Sequence, residues 1–183
     1  PVPSTYVEPP APPPPDLDDR PIRLRRPFTI GGELAWNGLA GLSVNMSYHF
    51  IPQLAVDGGL GLSLTGWRAG GRLRFNFLTS EWTPFLGAGM SIASGYGNQD
   101  IDAQWGNDKA KMRVSASPFA QVAGGVNYTG KEGFTFSVAI GYSFLLKDSN
   151  TTYVSGEESA YNYAKENLYA GGKTFSAAFG YAF

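Results

Sequence analysis

The residues best equipped for chemistry are charged side chains set in phase within otherwise apolar runs: Glu33, Asp57, Arg68, Arg72, Arg74 and Arg113. They fall on the small, polar face of their segments, with Asn45, Asn76, Gln121 and Asn127 in the same phase. A face that hides such groups must pair them, because an unpaired buried charge is costly. Glu33 and Asp57 against Arg72 and Arg74 would make a network across an interior. Such a network either fills and orders that interior or lines a narrow ion path. Glu33 and Asp57 could also be offered as paired acids, but nothing in the sequence points to a substrate pocket beside them.

Other candidate chemistry is sparser. His49 is the only histidine, so general-base catalysis of a serine would depend on it alone. Asp100, Asp102 and Asp108 share one segment and could contribute to a Ca²⁺ site, but their spacing fits no calcium loop, and a solvated acidic loop is expected instead. Gly58, Gly59, Gly61, Gly87 and Gly89 are not followed by a helix, so they do not read as phosphate loops; they relieve crowding or permit bends. Cysteine is absent, which removes disulfides, thiolate metal sites and cysteine nucleophiles and suits a chain that crosses an oxidising compartment unfolded. The formal net charge of -1 offers no basic field for nucleic acid. No metal or cofactor is expected, nor an enzyme.

The elements that must carry these residues alternate with period two from Phe28 to Phe183, the signature of strands. Phe175, Ala177, Phe179, Tyr181 and Phe183 face one way, and Thr174, Ser176, Ala178, Gly180 and Ala182 the other. The run from Phe134 to Phe144 repeats the pattern, as do Leu42 to Phe50 and Trp67 to Phe77. Strands are expected at about 28–36, 39–50, 53–64, 67–78, 84–96, 112–128, 134–146 and 173–183, most of them long enough to cross a bilayer when tilted. Pro118, inside the sixth, suggests a bulge or a missing ladder bond. Nearly every strand has one bulky apolar face and one small or polar face. Bulk outside and small residues inside suit lipid around a narrow barrel. Lipid cannot satisfy a sheet edge, so the sheet must close, and eight strands give an interior that side chains just fill. The expected fold is therefore all-β: an eight-stranded antiparallel up-and-down transmembrane β-barrel over residues 28–183. Aromatics at one set of strand ends, among them Tyr48, Phe50, Phe75, Phe77, Trp82, Tyr128, Phe134, Tyr181 and Phe183, would form an interfacial girdle.

Residues 1–27 read differently. Pro12, Pro13, Pro14 and Pro15 favour an extended polyproline conformation, and Arg23, Arg25 and Arg26 follow an acidic stretch. Such a tail is either a solvated leader or a docking strip for a partner's acidic patch or for anionic headgroups. The chain begins at Pro1 without a basic n-region or an apolar h-region, so any secretory signal is expected to have been removed. Connections alternate in length. Ile51-Pro52, Thr79 to Trp82 and Thr129 to Gly133 are turn-like; Asn37-Gly38 reads as a hairpin turn; the long segments 97–111 and 147–172 lie on the side away from both termini. Short turns face the periplasm in such barrels and long loops face outward. Tyr153, Tyr161, Tyr163 and Tyr169 in the last loop form either a binding surface or a lid over the barrel mouth, and residues 159–169 are expected to make a short helix.

The C-terminal alternation Phe179, Tyr181, Phe183 and the stretch Thr83-Pro84-Phe85-Leu86-Gly87-Ala88-Gly89 resemble those of the OmpA/OmpX-like small outer-membrane barrels, over about residues 28–183. The resemblance implies recognition of the terminal aromatic pattern by the barrel-assembly machinery. It also implies residence in the outer membrane of a Gram-negative bacterium, among lipid and lipopolysaccharide, with both termini periplasmic. It implies a non-enzymatic structural or interaction role, with a low-conductance pore as the alternative and an envelope protein as a partner for residues 1–27. Some barrels of similar fold modify lipid A using a histidine, a serine and an acid near the outer leaflet; His49 would sit at the opposite end. The sequence departs from the family in its proline-rich leader, in two minimal outer loops, and in having no peptidoglycan-binding domain after the barrel.

Overall fold

A computed structural model of the chain describes residues 20–183; the prolines at 12–15 lie outside that range. Eight strands close into an antiparallel barrel: β1 (Phe28–Trp36), β2 (Leu42–Ile51), β3 (Leu54–Ser63), β4 (Gly66–Asn76), β5 (Trp82–Ala93), β8 (Ser117–Thr129), β9 (Phe134–Leu145) and β11 (Gly171–Ala182). Each pairs with its neighbour in sequence, and β11 closes on β1 with Glu33 opposite Ala178. Closure removes the free edge that an open sheet would expose. The alternation of bulk in the sequence sets which face turns in. Glu33, Asp57, Arg68, Arg72, Arg74, Asn76, Gln121 and Asn127 are buried in the lumen, while Leu34, Leu42, Val44, Leu60, Trp67, Leu73, Leu86, Met90, Ile140 and Phe175 stand exposed outside. A one-residue slip in any strand would exchange those two sets, so the pattern also sets the register.

Two expected boundaries move. The turn between β1 and β2 is not a two-residue hairpin. Asn37 takes φ 50° and Gly41 φ 77°, and β2 starts only at Leu42. The intervening residues fold inward, so that Leu39 and Ala40 are buried. A Cβ on Gly70 would meet Leu39 Cδ1 at 2.8 Å, so glycine there makes room for the plug. The expected sixth strand also divides. Met112 to Val114 belong to β7 (Asp108–Val114), Ser115 and Ala116 break the pairing, and the barrel strand β8 resumes at Ser117. Pro118 sits in β8 opposite Ile92.

The long segments fold into a separate head at the loop end. β6 (Ile101–Trp105), β7 and β10 (Thr151–Gly156) form a three-stranded sheet in the order β10-β7-β6. Helix α2 (Glu158–Ala164), continued by a π-helical turn over Lys165–Tyr169, covers one face. The head has a core of its own in Ala103, Met112, Val114 and Ala164, against which Ile101, Tyr161, Leu168 and Tyr169 pack. At the other end a single turn, α1 (Ile22–Arg25), precedes β1.

Candidate functional site

The lumen is organised around Asp57. It sits on β3 directly opposite Arg72 of β4. Arg72 donates to one carboxylate oxygen through Nε at 3.0 Å and Nη2 at 2.8 Å, and Arg74 approaches the other oxygen at 3.1 Å. All three side chains are within a tenth of full burial. Charge-assisted, two-point contacts of this kind are short and directional. Glu33 is held by Asn45 at 3.3 Å through Oε2, and its Oε1 has no hydrogen-bond partner. Arg68 lies nearer the loop end, bonded to Ser91 at 2.9 Å and Ser143 at 3.3 Å.

The guanidinium groups also rest on aromatic faces. Arg68 lies 4.3 Å from the Phe119 ring centre, and Arg72 and Arg74 lie 5.7 and 5.5 Å from that of Phe85. Cation–π contacts gain strength when desolvated. Phe85 and Phe119 were not among the expected lumen residues, although Phe119 shares its phase with Gln121. Inside, Phe85 packs with Ala123 and Ala139, and both rings meet the β4 guanidinium groups.

Arg113 does not belong to this network. It lies in the head, on β7, half-exposed, with its Nε 2.6 Å from Asp100. The expectation that it points into the lumen followed from extending strand six across the break at Ser115–Ala116.

Side chains enter the lumen from both ends. Leu39 enters from the loop end. At the other end Arg23 of α1 is fully buried and donates to the carbonyls of Ser80 at 2.6 Å and Glu81 at 3.0 Å, and to Asn127 Oδ1 at 3.4 Å. Burial, and then the proximity of Arg74, lower its pKa to about 10, so it keeps its charge at neutral pH. Arg26 donates to the carbonyl of Ala182 at 3.0 Å and lies over Tyr181. Arg23 and Arg26 are thus engaged with the barrel itself. Between the plugs lie two polar cavities of about 30 Å³ each, one beside Glu33, Asp57 and Leu39, the other beside His49, Asn127 and Thr135. Each has room for only a water or two.

His49 lines the second cavity. Its Nε2 lies 3.3 Å from the Asn76 amide nitrogen, and its Nδ1 has no partner. No serine hydroxyl bonds to either ring nitrogen among the described residues, so the nucleophile–base contact that hydrolysis needs is not formed there. Asp100 is engaged by Arg113 and Asp108 accepts from the Ser159 hydroxyl; among the described residues no three acidic or imidazole groups converge on a metal position.

The head gathers the tyrosines. Tyr153 packs edge-on against Tyr161 at 5.4 Å, Tyr161 Oη lies 3.4 Å from Thr151 Oγ1, and Tyr163 stacks on Trp105 at 3.7 Å. Tyr169 packs against the core, where burial raises its pKa, with Tyr96 adding to the effect. Tyr161 and Tyr169 therefore build the head, and Trp105, half-exposed, together with Tyr153 is what it shows to solvent.

Outside the barrel, Tyr48–Phe50, Phe75–Phe77, Trp82–Tyr128 and Tyr181–Phe183 pair at 4.7 to 5.4 Å in a ring around the termini end. Phe179 lies above it, 5.0 Å from Phe136. No helix among the described residues is long and apolar enough to cross a membrane, which says nothing of strands. No protein-family model matches the chain, and no curated protein matches it. Among solved structures, the fold is similar to the N-terminal β-barrel domain of Pseudomonas aeruginosa OprF, with a TM-score of 0.50 and 14% identity over 85% of this chain and 95% of that one. At that identity the likeness is one of fold alone: a closed eight-stranded antiparallel barrel.

Proposed function

We propose that the chain is an integral outer-membrane barrel with a structural and interaction role: the barrel anchors, the head meets a ligand at the cell surface, and the proline-rich tail docks to a periplasmic or envelope partner. The observation that carries this is the outer face. Every barrel strand turns large apolar side chains outward, and an aromatic ring bounds them at the termini end. A water-soluble barrel would reverse that distribution, since large contiguous apolar patches on soluble proteins are rare. A folded head at one end and short turns at the other support an outward-facing head and periplasmic termini. In this reading Phe179, Tyr181 and Phe183 are what the assembly machinery recognises, and Arg23 and Arg26 fix the start of the tail at the periplasmic mouth. The pore alternative has less support: an ion would have to pass Arg23, the Asp57 cluster and Leu39 in turn.

The cysteine-free chain makes topology easy to test. Asn107, at the tip of the head, and Lys131, in the turn between β8 and β9, are both exposed. Asn107→Cys is expected to react with a membrane-impermeant maleimide on intact cells, and Lys131→Cys only after the outer membrane is permeabilised. The reverse pattern, or recovery of the chain in the soluble fraction, would refute the proposal.

A further inference from the structure

The barrel has no free edge, but the head has two, and they differ. β10 is blunted by a register shift between Tyr153 and Ser155, a device that discourages pairing. β6 pairs with β7 in unbroken register from Ile101↔Met112 to Trp105↔Asp108 and carries neither lysine nor proline. Trp105 and Asp108 close the two-residue turn Gly106-Asn107, with Gly106 at φ 60° as a primed turn requires. In an antiparallel ladder, hydrogen-bonded pairs alternate with non-bonded ones. Ile101, Ala103 and Trp105 therefore direct their backbone groups to β7, and Asp102 and Gln104 direct theirs to the open side. Among the described residues no other group bonds to those of Asp102 or Gln104 on that side.

We infer that β6 pairs antiparallel with β6 of a second copy of this chain, joining two heads through one continuous sheet. This rests on the reading of the head as an interaction element. The order Ile101-Asp102-Ala103-Gln104-Trp105 is a palindrome of side-chain type. A two-fold axis at Ala103 sets Ala103 against its own copy, Asp102 against Gln104 and Ile101 against Trp105. The free N–H and C=O of Asp102 then exchange bonds with those of Gln104 in the second copy, and the same exchange recurs across the axis. Charge agrees with the register, since the one ionised side chain on the strand meets an amide and no like charge stands opposite another. The half-exposed Trp105 gains an aliphatic neighbour, a favourable cross-strand pair. The isologous symmetry closes the assembly at a dimer.

The test is register-specific disulfide formation in the full chain, refolded in detergent micelles. Asp102→Cys and Gln104→Cys change exposed side chains and leave the β6–β7 ladder intact. The pairing places residue 102 opposite residue 104 of the second copy, so mixing the two variants under mild oxidation is expected to give a disulfide dimer in several-fold excess over either variant alone. Gln104→Pro removes the edge donor without touching the bonds to β7, and is expected to weaken dimerisation, followed by sedimentation, by about tenfold or more. Equal dimer yield from all three oxidations, or a monomer at every concentration for the unaltered chain, would overturn the inference. Neither result bears on the labelling of Asn107 on cells, so failure here is distinguishable from failure of the proposed topology.

Discussion

At the scale of single residues, one carboxylate decides whether the lumen is stable. Asp57 faces two guanidinium groups on β4, and among the described residues no other carboxylate forms an ion pair with either. Asp57→Ala leaves both arginines buried and unpaired, and is expected to cost about 3–5 kcal/mol in denaturant unfolding, the range for breaking a buried pair from one side. Replacing Asp57, Arg72 and Arg74 together with apolar residues is expected to restore much of that loss. The inward phase of these residues was legible in the sequence because alternation with period two states it directly. The grouping of Asp57 with Arg72 and Arg74 was legible on the same account; that Glu33 is held by Asn45 and not by an arginine was not, because pairing depends on how the strands align, which hydrophobic phase leaves open by any even number of residues. Phe85 and Phe119 were hidden for a different reason: they have the bulk of the outer face, and what holds them inside is contact with small residues such as Ala123 and Ala139 for Phe85 and with the β4 arginines for both, none of which the alternation states.

At the scale of elements, the two short segments whose side chains enter the barrel matter more than their length suggests. Loop 37–41 reads as a tight Asn-Gly turn by residue type, but tertiary packing prevails: Leu39 gains a pocket over Gly59 and Gly70, and the turn lengthens to deliver it. Residues 21–26 read as the end of a flexible tail, because three arginines near prolines resemble a solvated segment. No local signal marks Arg23 as the residue that three groups across the barrel mouth await. Arg23→Ala is expected to free α1 from the β4–β5 turn. The amide protons of Leu24, Arg25 and Arg26, which close α1 on Pro21 and Ile22, should then exchange with solvent at least about tenfold faster, as befits loss of bonds worth 1–3 kcal/mol. Unchanged exchange would mean that α1 is held without Arg23. The break at Ser115–Ala116 belongs to this scale too: alternation continues across it, so periodicity runs two strands together and carries Arg113 into a lumen it never reaches.

At the scale of the whole molecule, three parts follow from one rule about where polar groups can go. The lumen collects charge and pairs it, the head builds a small core under a water-facing sheet, and the outside of the barrel is left apolar. Closure and inside-out polarity were both legible in the sequence, because every strand repeats the same contrast of bulk. The folded head was legible only as a stretch of tyrosines and a short helix, since its sheet takes strands from two loops far apart in the chain. That the outer face meets lipid is the central claim, and Ile140 is the residue that tests it most directly. It lies midway along β9, pointing outward, and is 67% exposed. The free energy of unfolding from lipid vesicles should be compared for the unaltered chain, Ile140→Arg, and Asn162→Arg on the exposed side of α2 in the head. In lipid, Ile140→Arg is expected to cost about 2–4 kcal/mol, with Asn162→Arg within about 0.5 kcal/mol of the unaltered chain as an ordinary surface change. An Ile140→Arg barrel as stable as the unaltered one would mean that this face looks onto water, and would contradict the account.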